Sequence, residues 1–297
     1  MIQAYSGELA ALLVAVFWTI TALAFETATR KIGSMAVNMI RLLFAFVFLS
    51  LFSLFFRHMF LPFDATAKAW LWLSLSGLVG FVFGDYFLFA SYRLISSRIS
   101  MLIMTLVPIV TAFLGWLILD ELMTVQHMIG MILIVFGISL AIFNRSESKK
   151  IEFKYPVKGL LFAFFGVLGQ SGGLILSKIG MGDYSPFAST QIRIIAAVIG
   201  FGLLILLTGR AKVVFGAFRQ RNAMFAVTTG SIFGPFLGVS FSLIAIQRTT
   251  TGIASTLMAI VPILILPPAA IIYRQKIGWY DIIGASISVG GVVLFFL

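Results

Sequence analysis

The sequence lacks cysteine and carries little charge. None of its 297 residues is cysteine, which excludes disulfides, thiolate chemistry and cysteine-ligated metal sites. Only 10% of the residues are charged, whereas a soluble domain carries roughly 25%. Hydrophobic residues make up 61% of the chain, and the mean hydropathy is +1.10. The composition therefore predicts an integral membrane protein surrounded by a lipid bilayer.

Acidic residues and histidines are also scarce, with 10 and 2 in the chain. An intramembrane aspartyl protease needs two aspartates within spans, and only Asp85 lies well inside one. His58 and His127 both fall near loops, so a metalloprotease site is not expected either. We therefore predict that the protein is not an enzyme and has no cofactor and no metal.

The net charge of +11 comes from basic residues spread over short loops between apolar runs. This distribution is typical of the cytoplasmic loops of membrane proteins, and it does not predict a nucleic-acid partner. Loops after odd-numbered spans hold fifteen Lys and Arg residues, and loops after even-numbered spans hold four. The bias predicts that the odd-numbered loops are cytoplasmic, in a multi-pass protein of a bacterial inner membrane.

The chain contains ten apolar runs. A transmembrane helix needs about 20 mostly apolar residues, and runs of this length are separated here by short breaks. The runs are 7–28, 35–56, 69–92, 98–118, 124–143, 157–178, 186–208, 223–246, 251–272 and 278–297. They predict an all-α integral membrane protein with ten transmembrane helices.

The two halves of the chain repeat each other. At a constant offset of 154, glycines and a proline coincide, including Gly80 with Gly234 and Pro108 with Pro262. Earlier in each half the offset is 152. Five spans is an odd number, so the second copy is predicted to be inverted relative to the first. The predicted organisation is a five-helix repeat at 1–145, a basic connecting loop at 146–155 and a second repeat at 156–297. Inverted repeats are a recurring device of secondary transporters, which present one central site to either side.

Residues 88–142 resemble the EamA domain of the drug/metabolite transporter superfamily. The resemblance lies in a small-residue-rich helix, a mid-helix proline, an acidic residue at the helix end and a glycine-spaced final helix. These features are Ser100, Pro108, Glu121, Gly130 and Gly137 in the first half, and Ala254, Pro262, Gly284 and Gly291 in the second, where Gln275 replaces the acidic residue. The resemblance covers both halves.

The resemblance implies a ten-helix fold and transport of a metabolite. Members of this superfamily carry amino acids, nucleotide sugars, sugar phosphates, purines or cationic drugs, so the substrate is left open. Small four-helix relatives that extrude drugs keep a glutamate in the first helix as proton carrier. The matching positions here are Trp18 and Gln170, which are not ionisable. This departure argues against proton-coupled cation extrusion.

Three charged residues within the spans are candidates for function, because a charge at mid-bilayer costs about 2.5–3.5 kcal/mol on insertion scales. Asp85 is either a structural partner of a buried arginine or helix end, or a substrate or proton site. Arg41 and Arg193 occupy equivalent positions of the two repeats. They either extend toward the headgroups or pair structurally, or they contact an anion or form a gate.

Polar and sulfur-containing side chains within the spans are candidate lining of a substrate cavity. Single serines and threonines in membrane helices usually bond a local carbonyl instead. The repeat context favours those just before the prolines Pro108 and Pro262, where each helix is predicted to be interrupted near mid-span. The candidates are Trp18, Thr19, Asp85, Tyr86, Ser100, Met104, Gln170, Ser240, Ser255 and Met258.

The sequence thus predicts a secondary transporter that moves a small amino acid-like or amphipathic metabolite across the inner membrane by alternating access. Export is the expected direction. The alternative is a membrane-embedded protein without transport activity, either an assembly partner or an intramembrane enzyme. A channel would usually show rings of like charge or a filter loop. Lipid and a small-molecule substrate are the expected partners, and the sequence does not define the oligomeric state.

Overall fold

The structure is a computed structural model that describes residues 5–91, 94–95, 97–144, 156–273 and 278–297. The connecting loop 146–155 and Gln275 lie outside the described residues. Within these ranges the regular structure is entirely helical, without strands. This agrees with the all-α class that the composition predicts.

Each half of the chain contributes helices in a matching order. The first half contains α1 (Ser6–Ile32), α2 (Ser34–Arg57), α3 (Ala67–Gly77), a π-helix π1 (Leu78–Gly84), α4 (Asp85–Ser91), α5 (Ser97–Met104), α6 (Val107–Leu119) and α7 (Val125–Asn144). The second half contains α8 (Val157–Met181), α9 (Pro186–Leu207), α10 (Ala211–Ala217), α11 (Arg221–Ser231), the π-helix π2 (Ile232–Gly238), α12 (Val239–Arg248), α13 (Thr251–Met258), α14 (Val261–Leu264), α15 (Leu266–Tyr273) and α16 (Trp279–Val293).

Seven helical stretches in the described ranges are long and apolar enough to cross a membrane. They are Ser6–Thr29, Ser34–Arg57, Ala67–Leu88, Val157–Met181, Pro186–Leu207, Arg221–Arg248 and Thr251–Pro268. Three shorter apolar helices, Val107–Leu119, Val125–Ala141 and Trp279–Val293, coincide with the remaining predicted runs. A multi-pass membrane protein follows from these helices, and the count of ten spans stays a prediction.

The two π-helices occupy equivalent positions of the two repeats. Leu78–Gly84 and Ile232–Gly238 are separated by the same offset of 154 that relates the glycines. In π2, Pro235 lacks a backbone N–H and its ring crowds the preceding turn, so a regular α-helix cannot continue through it. The first repeat has Phe81 at that position and still forms the π-helix, so the wide turn belongs to the fold of both copies. Such turns often occur at functional sites.

The helix before each repeated proline is interrupted. Between α5 and α6 and between α13 and α14, two residues form a turn, and the new helix begins with the proline in its first turn. A proline is tolerated there because the first helical N–H groups have no intrahelical partner. Pro108 and Pro262 thus begin new helical segments within the apolar runs.

One loop of the sequence contains a helix that was not predicted. Residues 210–222 carry four basic residues and were expected to be a break, but Ala211–Ala217 forms α10. Val214 and Ala217 lie three residues apart on one face, and both are buried in a core cluster shared by the two repeats, which includes Val37 and Ile40. This tertiary contact stabilises a helix that is too short to be stable alone.

The final helices of the two repeats pack against each other as an antiparallel pair. A Cβ added to Gly291 would lie 2.7 Å from the backbone oxygen of Gly130. Further along the same two helices, a Cβ added to Gly137 would likewise crowd the backbone oxygen of Gly284. Gly130 and Gly284 are equivalent in the repeat, as are Gly137 and Gly291. Gly130 nevertheless contacts Gly291, and Gly137 contacts Gly284. Two copies of the same helix therefore run in opposite directions.

Candidate functional site

A cavity of about 260 Å³ lies where the first, fourth and sixth apolar runs meet the ninth. It is smaller than the roughly 300–1,000 Å³ of pockets for drug-sized ligands, so its size suits a small metabolite. The lining residues are Trp18, Met101, Met104, Thr105, Val107, Gln170, Leu174, Ser255, Met258, Ala259, Val261 and Pro262. Six of the predicted site residues are among them, namely Trp18, Met104, Gln170, Ser255, Met258 and Pro262.

The cavity is lined by equivalent positions of the two repeats. Met104 and Met258 are related by the offset of 154, as are Val107 and Val261. Trp18 and Gln170, related by 152, face the cavity from α1 and α8. The cavity therefore lies between the two copies, with each contributing the same elements to its wall.

Several predicted site residues lie outside the cavity wall, and their hydroxyls form hydrogen bonds within the protein. Thr19 donates to the carbonyl of Ala15 at 2.8 Å, and Ser240 donates to the carbonyl of Phe236 at 2.6 Å. Ser100 is buried and accepts a hydrogen bond of 2.8 Å from Ser91 Oγ. None of these three is part of the cavity wall. Pro108 is buried at the start of α6 and is not part of the wall either, unlike Pro262.

Tyr86 also faces away from this cavity. It is 47% exposed and lines a second, more polar pocket of about 180 Å³ with Ser34, Asn38, Thr208 and Arg210. This pocket opens at the ends of α2 and α9, close to the turn between α1 and α2. Asp85, the residue before Tyr86 in the sequence, is instead buried in the interior of the protein.

Sequence reasoning missed some lining residues for which a signal existed. Met101 lies three residues before Met104, and Leu174 lies four residues after Gln170, so each shares a helix face with a predicted residue. Val107 and Val261 form a repeat-related pair next to the prolines. Helical periodicity around the predicted residues would have found these four.

Asp85 lies at the centre of a buried polar group. Its Oδ2 is in direct contact with Nη2 of Arg41, with both side chains mostly buried. Its Oδ1 accepts a hydrogen bond of 3.2 Å from Nε2 of Gln170. The guanidinium of Arg41 also lies 5.6 Å from the ring centroid of Phe25. Since Gln170 lines the cavity, it connects the Arg41–Asp85 ion pair to the cavity wall through one hydrogen bond.

Arg193 is buried to 5% exposure without an acidic partner among the described residues. Its Nε and Nη1 have no hydrogen-bond partner there, and its guanidinium lies 5.0 Å from the ring centroid of Phe81. The position equivalent to Asp85 in the second repeat is Val239. The two repeat-related arginines therefore differ, because Arg41 pairs with a carboxylate, whereas Arg193 meets none in the part of the chain that the structure describes. Buried cations without a partner are costly and mark sites that bind anions or change conformation.

A second ion pair lies at the opposite end of α2 from the polar pocket. Nη2 of Arg57 is 2.5 Å from Oδ2 of Asp64, and the Tyr184 hydroxyl donates to Oδ1 of Asp64 at 2.8 Å. Tyr184 lies in the connection between α8 and α9. Partial burial and the hydrogen bond to Asp64 raise the pKa of the Tyr184 hydroxyl above its ordinary value. In the described residues no three His, Asp or Glu side chains gather as a metal site would require.

Comparison with known proteins decides the class of this molecule. The EamA-like transporter family matches the chain twice, over residues 5–143 and 157–297. The chain belongs to the EamA-like transporter family. It is therefore a membrane protein of the drug/metabolite transporter superfamily, built from two EamA repeats.

The individual proteins to which this EamA-like protein is similar share little sequence identity with it. An uncharacterized membrane protein of Saccharomyces cerevisiae, YMR253C, is 28% identical over 144 residues, which cover 44% of this chain and 34% of the yeast protein. The match thus spans about a third of that relative's length. A crystal structure, described only as that of a protein, superposes with a TM-score of 0.79 over 98% of this chain and 96% of its own. At 16% identity that likeness shows a common fold.

Proposed function

We propose that this EamA-like protein is a secondary carrier that moves a small amphipathic metabolite across the bacterial inner membrane by alternating access. The observation that carries the proposal is the cavity between the repeats, lined by the equivalent pairs Met104 and Met258 and Val107 and Val261. A site built from both copies is presented to either side when the copies exchange conformations. Export is the proposed direction.

Antiparallel packing supports ten helices arranged as two inverted repeats. The last helices of the repeats, α7 and α16, run in opposite directions along the Gly130–Gly291 contact. The second helices, α2 and α9, pack together as well, and Gln191 near the start of α9 bonds Ser50 and Ser53 near the end of α2. Equivalent helices that meet end to start are the geometry of an inverted repeat.

The cavity lining supports a solute with an apolar body and few polar groups. Three methionines, Met101, Met104 and Met258, provide flexible and polarisable walls that adapt to irregular shapes. Trp18 offers a flat aromatic face, and Gln170 supplies an amide that can donate and accept. An amino acid-like compound with an aromatic or aliphatic side chain fits this combination.

Flux through purified protein tests the proposal. Proteoliposomes would be assayed for uptake and for efflux of radiolabelled amino acids, nucleosides, sugar phosphates and a lipophilic cation, with and without a pH gradient. We expect saturable flux of one class. Trp18→Ala should lower it, whereas the matched Trp116→Ala, at a tryptophan that is 54% exposed and does not line this cavity, should not.

The outcomes separate the alternatives. Equal effects of the two tryptophan changes would remove the cavity from the transport path. Folded protein without flux of any class would favour the reading as a membrane protein without transport activity. A response to the pH gradient would identify protons as the coupling ion.

A further inference from the structure

A polar network ties together one end of four of the helices that line the cavity. We call this network the clamp, and it consists of Glu8, Glu121, Lys178, Thr249 and Thr251. Glu8 lies in the first turn of α1, Glu121 two residues beyond α6, and Lys178 near the end of α8. Thr249 directly follows α12, and Thr251 is the first residue of α13. Helices α1, α6, α8 and α13 contribute Trp18, Val107, Gln170 and Ser255 to the cavity wall.

Glu121 is the hub of the clamp. Its Oε2 accepts two hydrogen bonds of 2.7 Å, from the backbone N–H and from the hydroxyl of Thr251. Its Oε1 lies 2.5 Å from Nζ of Lys178. The Glu121 side chain is 11% exposed and that of Lys178 is 26% exposed, so this charge-assisted network is screened less than a surface pair.

The remaining contacts extend the clamp to α1. Lys178 also donates to the backbone oxygen of Thr249 at 2.8 Å, and the Thr249 hydroxyl donates to Oε1 of Glu8 at 2.7 Å. Lys178 lies eight residues beyond Gln170 on α8, which is about 12 Å along the helix axis. The clamp therefore lies beyond the cavity, at one end of these helices.

The positions related to the clamp by the repeat offsets carry different residues in the sequence. By the repeat offsets, the counterpart of Lys178 is Glu26, and the counterpart of Glu121 is Gln275. The position of Glu8 is taken by Leu160, and that of Thr249 by Ile95. A glutamate and a glutamine cannot form the ion pair that lysine and glutamate form, so the Lys178–Glu121 pair is not repeated at the equivalent positions of the sequence.

From this asymmetry we infer that the two access states of the carrier are unequal, and that the clamp holds the carrier closed on its own face at rest. The inference rests on the proposed alternating-access function and adds its resting state. The clamp lies on the face of the even-numbered loops, which the charge bias predicts to be external. A carrier that rests open to the cytoplasm is poised to load substrate for export.

Single-cysteine labelling tests the resting state without knowledge of the substrate. The chain has no cysteine, so Ser255→Cys places the only thiol in the cavity wall. A membrane-impermeant maleimide would be applied from the clamp face in spheroplasts and from the opposite face in inside-out vesicles. We expect labelling from the opposite face and protection from the clamp face.

Substitutions that break the clamp should make the reporter thiol more accessible from the clamp face. In the reporter background, Lys178→Met should raise the labelling rate from the clamp face about tenfold, as expected when about 1.4 kcal/mol of differential stabilisation is lost. Thr251→Val removes one hydroxyl and keeps the backbone N–H, so it is a milder change expected to shift labelling in the same direction. The control Arg57→Gln breaks an ion pair of the same face that does not join the cavity-lining helices.

The inference is overturned if Lys178→Met and Thr251→Val label as the unmodified reporter does, or if Arg57→Gln has the same effect. The carrier proposal is judged separately from flux. Unchanged labelling with intact flux would contradict the proposed role of the clamp and would still support the carrier function. A clear shift in labelling without flux of any compound supports the clamp and counts against the proposed transport.

Discussion

Gln170 links the cavity wall to the buried carboxylate of Asp85 through a hydrogen bond of 3.2 Å between Nε2 and Oδ1. These residues are 85 positions apart and come from different repeats. On its other side Asp85 contacts Arg41. A solute that accepts a hydrogen bond from Nε2 of Gln170 would therefore compete with Asp85 for this group.

The first prediction concerns Asp85. Asp85→Asn leaves Arg41 buried without a counterion, which costs about 3–5 kcal/mol, and net transport should be lost. The double variant Arg41→Gln with Asp85→Asn should regain most of the thermal stability, because neither charge is then left alone. Flux should not return with it. Thermal unfolding in detergent and proteoliposome flux measure the two effects, and recovery of flux in the double variant would assign Asp85 a purely structural role.

The second prediction concerns Arg193. Arg193→Gln removes a buried cation that has no carboxylate partner in the described structure, so the unfolding temperature should stay the same or rise. If Arg193 contacts the substrate anion, flux of a carboxylate-bearing compound should fall about tenfold to hundredfold, the value of a hydrogen bond to a charged group. Arg193→Lys should keep part of the flux.

Arg41→Gln serves as the comparison for Arg193, since it breaks an existing ion pair and should lower the unfolding temperature. A loss of stability in Arg193→Gln that equals the loss in Arg41→Gln would show that Arg193 has a structural partner. Unchanged flux in folded Arg193→Gln would remove the anion contact.

The third prediction concerns neighbouring glycines on α16. A Cβ on Gly291 would lie 2.7 Å from the Gly130 oxygen and 2.9 Å from Ile134 Cγ1, so Gly291→Ala should destabilise the protein by about 1–3 kcal/mol. Gly290 has open space around the same point. Gly290→Ala should therefore be neutral, or stabilising by up to about 1 kcal/mol. Equal unfolding temperatures of the two variants would contradict the antiparallel α7–α16 contact.

The fourth prediction concerns pH. The raised pKa of the Tyr184 hydroxyl means that the unfolded chain releases this proton more readily than the folded chain. The free energy of unfolding should therefore fall as the pH rises through the ordinary tyrosine pKa of about 10. Tyr184→Phe should flatten this part of the stability profile, and ultraviolet titration should lose one late-ionising phenol. An unchanged titration curve would show that Tyr184 titrates normally.

The cavity shows how far sequence reasoning reaches. Met104, Met258 and Pro262 were predicted from repeat context, since each lies at or just before a repeated proline. Tyr86 was predicted to line the same cavity, but it faces the second pocket. One residue along a helix rotates the side chain by about 100°, so Asp85 and Tyr86 cannot share a direction. The sequence places both in the same apolar run without defining which face turns inward.

The sequence by itself determined that this is an integral membrane protein, that it consists of two copies of one unit, and that it resembles the drug/metabolite transporters. The first two conclusions depend on composition and on spacing, and the third on the resemblance to the EamA domain, and none of them requires knowledge of contacts. Only the tertiary structure decided that Asp85 pairs with Arg41, that Arg193 meets no carboxylate among the described residues, and that Glu121 contacts Lys178 and Thr251. Such pairs join residues 44 to 130 positions apart, and their formation depends on how each helix is rotated against its neighbours.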